Sequence, residues 1–167
     1  MFKYAIIIAS DRGVQGLRVD GCIPVIEKCM DDSFELIHSV IVMDEINELQ
    51  KATLHAVDEL HVDLLIISGG TGFSVRDVTP EAIGPLIDRF TPGISEAIRA
   101  YSMTITKKAM LSRAISGIRK QSLIITLPGS PRAVEESLTY ILEPLKHGLE
   151  IMIGSAKECA RKDSNEK

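Results

Sequence analysis

An α/β fold in three layers, a mostly parallel central sheet with helices on both faces, is predicted by three observations. A strand–loop–helix alternation runs along the chain at least four times, and parallel strands need helical crossovers to join them. The strand candidates around Ile6-Ile7-Ile8, Leu64-Leu65-Ile66-Ile67 and Leu123-Ile124-Ile125 are apolar at successive positions. That pattern marks strands covered on both faces. Three helix starts have the form Thr79-Pro80, Thr91-Pro92 and Ser130-Pro131, where the hydroxyl can cap and proline suits the first helical position.

The first strand is expected over residues 4–9, running into Ser10-Asp11-Arg12-Gly13 and a loop that reaches Asp20. Ser10 and Asp11 either cap that loop's own backbone or face a ligand, since loops after buried strands often carry function. A helix from Pro24 to about residue 30 ends at Asp31-Asp32-Ser33, and a strand over 34–43 follows, closing on Asp44-Glu45. Asp44 suits a helix N-cap. The helix after it carries Ile46, Leu49, Leu54, Val57 and Leu60 at helical spacing.

The central stretch comes next: the apolar run 64–67, then Ser68-Gly69-Gly70-Thr71-Gly72, Arg76, Asp77 and a helix from Pro80 with Ile83, Leu86 and Ile87. Glycines past a buried strand allow positive φ and close backbone approach to a ligand, and a strand–glycine loop–helix order builds anion sites. The same residues also suit a plain tight turn. Asp77 in the same connection, with the other strand ends, favours a site.

A further helix from Thr91-Pro92 places Ile94, Ala97, Ile98, Tyr101 and Ile105 at core spacing. The basic residues between Lys107 and Lys120 form either a solvated face or a contact for phosphate or carboxylate near the strand ends. The last strand, 121–127, enters Pro128-Gly129-Ser130-Pro131-Arg132, and a helix follows with Val134, Leu138 and Leu142. Pro144 is expected to divide it from a final helix holding Leu145, Leu149, Ile151, Met152 and Ile153. From residue 156 the chain is charged without apolar periodicity, and a frayed or flexible tail is expected over 156–167.

Composition narrows the function. One domain is the prior for 167 residues, and this length buries a core without metal or disulfide. Aromatics are 4% and Trp is absent, which speaks against base-stacking single-strand binders. A net charge of −4 gives no support to nucleic-acid binding. Cys22, Cys29 and Cys159 form no CxxC, so neither zinc nor a disulfide framework is indicated. The apolar part of the N-terminus is short for a signal peptide and no apolar run has the length of a membrane span, so a soluble cytoplasmic protein is expected.

In a parallel sheet the C-terminal strand ends gather at one edge. Four loops would meet there: from Ser10 to Asp20, Asp44-Glu45, Ser68 to Asp77, and Leu127 to Arg132. His38, His55, His61 and His147 lie outside them, which argues against histidine-based acid–base or metal chemistry. GxxxxGK[ST] and GxGxxG are both missing, so P-loop and nicotinamide readings lack their fingerprints. Glycine backbone, small hydroxyls (Ser10, Thr71, Ser130), arginines (Arg12, Arg76, Arg132) and acids remain. Carboxylates beside polyphosphate suit a Mg²⁺ between them, and phosphoryl or nucleotidyl transfer asks mainly for positioning and charge neutralisation. The residues alone point to a phosphate-ligand α/β protein, with Mg²⁺-dependent nucleotidyl transfer as one candidate chemistry.

Over residues 5–154 the chain resembles the molybdopterin-binding (MoCF) domain family, which includes the MogA/MoaB adenylyltransferases and the G domain of gephyrin-type proteins. The resemblance rests on Ser10-Asp11-Arg12 with Gly16 and Asp20, Ser68-Gly69-Gly70-Thr71-Gly72, Arg76-Asp77-Val78-Thr79-Pro80-Glu81-Ala82, Ala109-Met110-Leu111-Ser112-Arg113, Gly117-Ile118-Arg119 and Leu127-Pro128-Gly129-Ser130-Pro131. It implies a domain over 1–155 that transfers AMP from Mg·ATP to the terminal phosphate of molybdopterin and releases pyrophosphate. It also implies Asp44 and Asp77 as catalytic acids and Mg²⁺ ligands. Ser10, Asp11, Arg12, Asp20, Ser68, Gly69, Gly70, Thr71, Gly72, Arg76, Ser112, Pro128, Gly129 and Ser130 would bind substrate or nucleotide. A homo-oligomer, trimer or hexamer, and a molybdate-insertion protein as partner are further implications. The chain departs from the family pattern at Cys22-Ile23 and at Lys107-Lys108. Ile23 is expected to narrow its loop, and a non-catalytic pterin-binding or scaffold role is the alternative. A nucleotide-hydrolysing activity of the CinA-like kind is the weaker one, since the chain ends without those proteins' extra domain.

Overall fold

The computed structural model describes residues 1–17 and 19–154. The predicted 156–167 tail and Cys159 lie outside them. Six strands form one sheet: β1 Phe2–Ala9, β2 Phe34–Val42, β3 Leu64–Ser68, β4 Arg89–Phe90, β5 Ser116–Arg119 and β6 Ser122–Leu127, in the order β2-β1-β3-β6-β5-β4. β2, β1, β3 and β6 are parallel, and β5 and β4 add antiparallel to the edge. The helices are α1 Asp11–Val14, α2 Cys22–Cys29, α3 Ile46–Leu54, α4 Thr79–Ile83, α5 Pro92–Ile105 and α6 Pro131–Met152.

The unbroken apolar runs follow from the layering. Successive strand residues point to opposite faces, and both faces are covered. Ile6, Ile8, Leu64, Ile66, Leu123 and Ile125 pack on one side with Ile26 of α2, Ile98 of α5 and Leu138 of α6. Ala5, Ile7, Leu65, Ile67 and Ile124 pack on the other with Leu49 of α3 and Ile83 of α4. The parallel strands end in register, Ala9 beside Val42, Ile8 beside Ser68, and Ser68 beside Leu127. The chain leaves β1 toward β2 on one side and leaves β3 toward β6 on the other. The crevice between β1 and β3 is therefore the topological switch point, where open α/β sheets bind ligands.

Several local expectations are corrected. Thr79 does not cap α4: the N-cap is Val78, and the buried Thr79 hydroxyl donates to Gly69 O at 2.8 Å. Thr91 sits at the N-cap of α5 without making a cap bond, whereas Ser130 Oγ accepts Ala133 N–H at 3.2 Å and caps α6. Pro144 lies inside the continuous 22-residue α6 and does not divide it. Its ring faces outward, and Val134, Leu138, Ile141, Leu145 and Leu149 keep one buried face through it. Ile46 and Ile105 are exposed, at 41% and 43%, because each sits at a helix end beyond the packed stripe. Strands β4 and β5 lie outside the sequence expectation, since neither Arg89-Phe90 nor Ser116-Gly117-Ile118-Arg119 has an apolar run; the preformed edge of β6 recruits β5, which pairs with β4. The basic stretch 107–120 is not simply a solvated face: Arg119 donates Nη2 to Asp58 Oδ2 at 2.7 Å and Nε to Oδ1 at 3.1 Å, tying β5 to the π-helical turn after α3.

Two outcomes follow. Pro144→Ala restores an i→i−4 hydrogen bond, and urea unfolding is expected to show a gain of about 1–3 kcal/mol. The Arg119 guanidinium, with help from Lys120, holds the Asp58 carboxyl down to about 2 from 3.8. A depressed folded-state value means the stabilisation is present above the ordinary value and is lost as pH falls from 3.8 toward 2. Unfolding curves measured across that window are expected to lose part of their acid slope in Asp58→Asn.

Candidate functional site

The crevice between the ends of β1 and β3 opens into a cleft of about 290 Å³, with walls from all four loops after the parallel strands. Its floor is backbone. At Gly69 φ is +105°, and a Cβ there would lie 2.4 Å from Ala9 O. At Gly70 φ is +62°, and a Cβ would meet Thr79 Oγ1 at 2.3 Å and Asp44 Oδ1 at 3.1 Å. Only glycine allows both the left-handed backbone and these approaches. Gly69 N–H donates to Leu127 O at 3.1 Å and Thr79 N–H to Gly70 O at 3.1 Å, so the turn is stitched to β6 and α4 at once.

The acids stand on this floor. Asp44 follows β2, and the N-cap of α3 is its neighbour Glu45. Asp44 is thus free of helix capping and forms a reciprocal pair with Asp11: Asp11 N–H donates to Asp44 Oδ2 and Asp44 N–H to Asp11 Oδ1, each at 3.0 Å. Burial raises the Asp44 pKa, and the charges of Asp11 and Asp77 add to the rise. Asp77 accepts Ser74 N–H on Oδ2 at 2.9 Å, the oxygen that a Cβ at Gly72 would approach to 2.8 Å. Arg76 grips Asp11 with Nε and Nη2, both at 3.0 Å, and Glu45 with Nη1 at 2.7 Å. Its hydrogen bonds lower the Asp11 pKa.

Ser10, Asp11, Arg12, Asp20, Asp44, Ser68, Gly69, Gly70, Asp77 and Gly129 line the cleft. Ser10 Oγ accepts Gly13 N–H at 3.0 Å as the cap of α1, and Asp20 accepts Cys22 and Ile23 N–H at 3.1 and 2.8 Å at the start of α2. Ser68 Oγ donates to Pro128 O at 2.8 Å. The Arg12 guanidinium makes no hydrogen bond among the described residues and borders the cleft as an uncommitted cation. Thr71, Gly72, Ser112 and Pro128 instead line a neighbouring, largely apolar cleft of similar volume, about 290 Å³, with Arg99, Lys108 and Leu111. The ridge from Gly69 to Gly72 and Pro128-Gly129 separates the two. Arg76 and Ser130 line neither cleft.

Sequence reasoning missed Gly21 and Cys22 as cleft residues and Arg113 as the base of the glycine loop. Arg113 donates Nε to Gly72 O at 2.7 Å, its N–H to Thr71 O at 2.9 Å, and Nη2 to Asp77 O. Its place in Ala109-Met110-Leu111-Ser112-Arg113 was the available signal, but that reach depends on the 3₁₀ turn Lys107–Leu111. Ile23, expected in a loop, lies in α2 and packs on the core, outside the residues that line the cleft.

Gly70→Ala forces positive φ on alanine and drives Cβ into Thr79. A loss of about 1–3 kcal/mol is expected in urea unfolding.

The comparisons with known proteins agree with this architecture. The family model described as "Probable molybdopterin binding domain" matches residues 5–147. Molybdopterin adenylyltransferase of Helicobacter pylori (strain J99) is 32% identical over 162 residues, covering 95% of this chain and 92% of that protein. Gephyrin of Dictyostelium discoideum is 40% identical over 163 residues, 91% of this chain, and the chain spans 23% of gephyrin's length. Among solved structures, the molybdopterin biosynthesis enzyme MoaB of Thermus thermophilus superimposes with a TM-score of 0.88 at 37% identity, covering 92% of this chain and 98% of that one. The tungsten cofactor synthesizing protein MoaB of Pyrococcus furiosus does so at 0.84 and 33%, covering 91% and 97%. The chain belongs to the probable molybdopterin binding domain family.

Proposed function

We propose that this protein is a molybdopterin adenylyltransferase of molybdenum cofactor biosynthesis, moving AMP from Mg·ATP to the terminal phosphate of molybdopterin. The observation that carries the reading is the pair Asp44, beside Gly70, and Asp77, beside Gly72, lining one switch-point cleft, in a chain that matches a molybdopterin adenylyltransferase over 92% of that protein. A phosphate oxygen of molybdopterin attacks the α-phosphorus of ATP. The new P–O bond forms as the bond to the β-phosphate oxygen breaks, and pyrophosphate leaves. The nucleophile belongs to the substrate, so no side-chain nucleophile is needed.

The donor set fits Mg²⁺ carried in by the nucleotide. Asp44 Oδ1 and Asp77 Oδ1 accept no hydrogen bond among the described residues, while their Oδ2 atoms are held by Asp11 and Ser74 N–H. No group of three or more His, Cys, Asp or Glu able to hold a metal exists among the described residues, and Mg²⁺ typically takes one or two carboxylates with phosphate oxygens and water. When bound, Mg²⁺ would neutralise charge on the phosphates. Asp44 and Asp77 would hold it. Gly69, Gly70 and Gly129 would bring backbone against the phosphates, and Arg12 would meet their charge. The apolar cleft beyond the ridge would take a ring system, with Thr71, Gly72, Ser112 and Pro128 at its wall. Ser130, Arg76 and Asp20 act in this reading by holding the loops.

The reading brings with it a homo-oligomer, trimer or hexamer, a molybdate-insertion protein that receives the product, and a cytoplasmic setting. Among the described residues no helix is long and apolar enough to cross a membrane. Protein incubated with Mg·ATP and molybdopterin is expected to yield adenylylated molybdopterin and pyrophosphate, and Asp77→Ala to slow the reaction roughly 100-fold or more. Tight molybdopterin binding without adenylylation would favour the scaffold alternative instead.

A further inference from the structure

Asp11 lines the cleft, yet both oxygens of its carboxylate are held by protein donors. Oδ1 accepts Asp44 N–H and Arg76 Nη2, and Oδ2 accepts Arg76 Nε, all at 3.0 Å. Arg76 reaches from the loop after β3 to Asp11 after β1 and to Glu45 after β2. These are the hydrogen bonds that, among the described residues, join residues 73–77 to those two loops. Apolar packing does not anchor that segment, since Phe73 is 69% and Val75 95% exposed. Arg113 fixes only its base, at Gly72 O and Asp77 O.

We propose that Arg76 and Asp11 are the positioning pair of the site: Arg76 locks the Asp77 loop across the cleft mouth, and Asp11 passes that lock to Asp44. The consequence for catalysis rests on the adenylyl-transfer reading; the lock itself does not. Asp11, Asp44 and Asp77 crowd one cleft wall, and like charges at such spacing repel. A guanidinium fork sets direction as well as charge, which a lysine cannot reproduce across two acceptors. The pair therefore holds the two acids at one spacing before substrate arrives, the condition under which positioning accelerates transfer. It also moves Asp11 out of the ligand-contacting set and leaves Arg12 as a cleft-lining cation without a hydrogen bond among the described residues.

The test combines amide hydrogen exchange of the ligand-free protein with steady-state kinetics for Arg76→Gln, Asp11→Asn, the double variant, Arg76→Lys and Glu45→Gln. Faster exchange is expected at Asp11, Asp44 and Ser74 N–H in Arg76→Gln and Asp11→Asn. kcat should fall roughly 10- to 100-fold with KM little changed. The double variant should lose about what one single variant loses, because the residues act as a unit. Arg76→Lys should recover part of kcat, and Glu45→Gln, which removes the charge of an exposed partner but keeps an acceptor, should show a smaller effect of the same kind. Full activity in Arg76→Lys, additive single losses, or a rise in the ATP KM alone would overturn the proposal in favour of direct charge contact with substrate. If the wild-type protein makes no adenylylated product, the function reading fails; unchanged exchange in Arg76→Gln is what would sink the positioning pair.

Discussion

The turn at Gly69-Gly70 is the constraint on which the rest of the site depends. β3 is the central strand, with β1 on one side and β6 on the other, and its end must pass between theirs. A Cβ on Gly69 would run into Ala9 O, and a Cβ on Gly129 would come within 3.2 Å of Gly69 Cα. The Gly69 carbonyl takes the Thr79 hydroxyl, and its N–H reaches Leu127 O. No side chain fits there. Because that backbone is bound on both sides, the loops carrying Asp11, Asp44, Asp77 and Gly129 converge at fixed distances and do not drift as four independent surface loops.

The electrostatics are built on the same frame. Among the described residues five carboxylates, Asp11, Asp20, Asp44, Glu45 and Asp77, gather in or beside the cleft, with Arg76 and Arg12 as cations near them. Arg76 is spent on Asp11 and Glu45, so the inner pair Asp44 and Asp77 lines the cleft without a salt bridge among the described residues. A half-buried carboxylate among like charges resists ionisation, and the Asp44 carboxyl is raised by burial first and by Asp11 and Asp77 next. Such a wall is unfavourable in the empty protein and becomes favourable when a cation arrives with a polyphosphate, which is the charge logic of nucleotidyl transfer.

Much of the fold was legible in the chain, for a physical reason. Residues 6–8, 64–67 and 123–125 are apolar at every position because two cores share each strand, and that leaves a continuous run. The convergence of Asp44, Asp77, the glycine loop and Gly129 followed from parallel topology alone. What stayed hidden depends on tertiary partners. β5 is read as a strand only beside β6, and Gly117 fits there because Ile87 and Arg89 leave no room for a side chain. Thr79 looks like a cap until the buried Gly69 carbonyl offers it a better acceptor. Pro144 looks like a break, but the buried stripe of α6 outweighs one missing N–H. Arg113 and Asp11 sit in recognisable motifs, but their partners, Gly72 O and Asp77 O for Arg113 and Arg76 and Asp44 for Asp11, appear only when the loops are folded together.

The most direct measurement of the central claim is the fate of label in the reaction with molybdopterin and Mg·ATP. Label on the α-phosphorus of ATP is expected to enter the pterin product, and label on the γ-phosphorus to leave in pyrophosphate, both lost when Asp44 and Asp77 are changed to Asn. Label from the γ-phosphorus appearing on the pterin, or full α-label transfer by that double variant, would contradict the account.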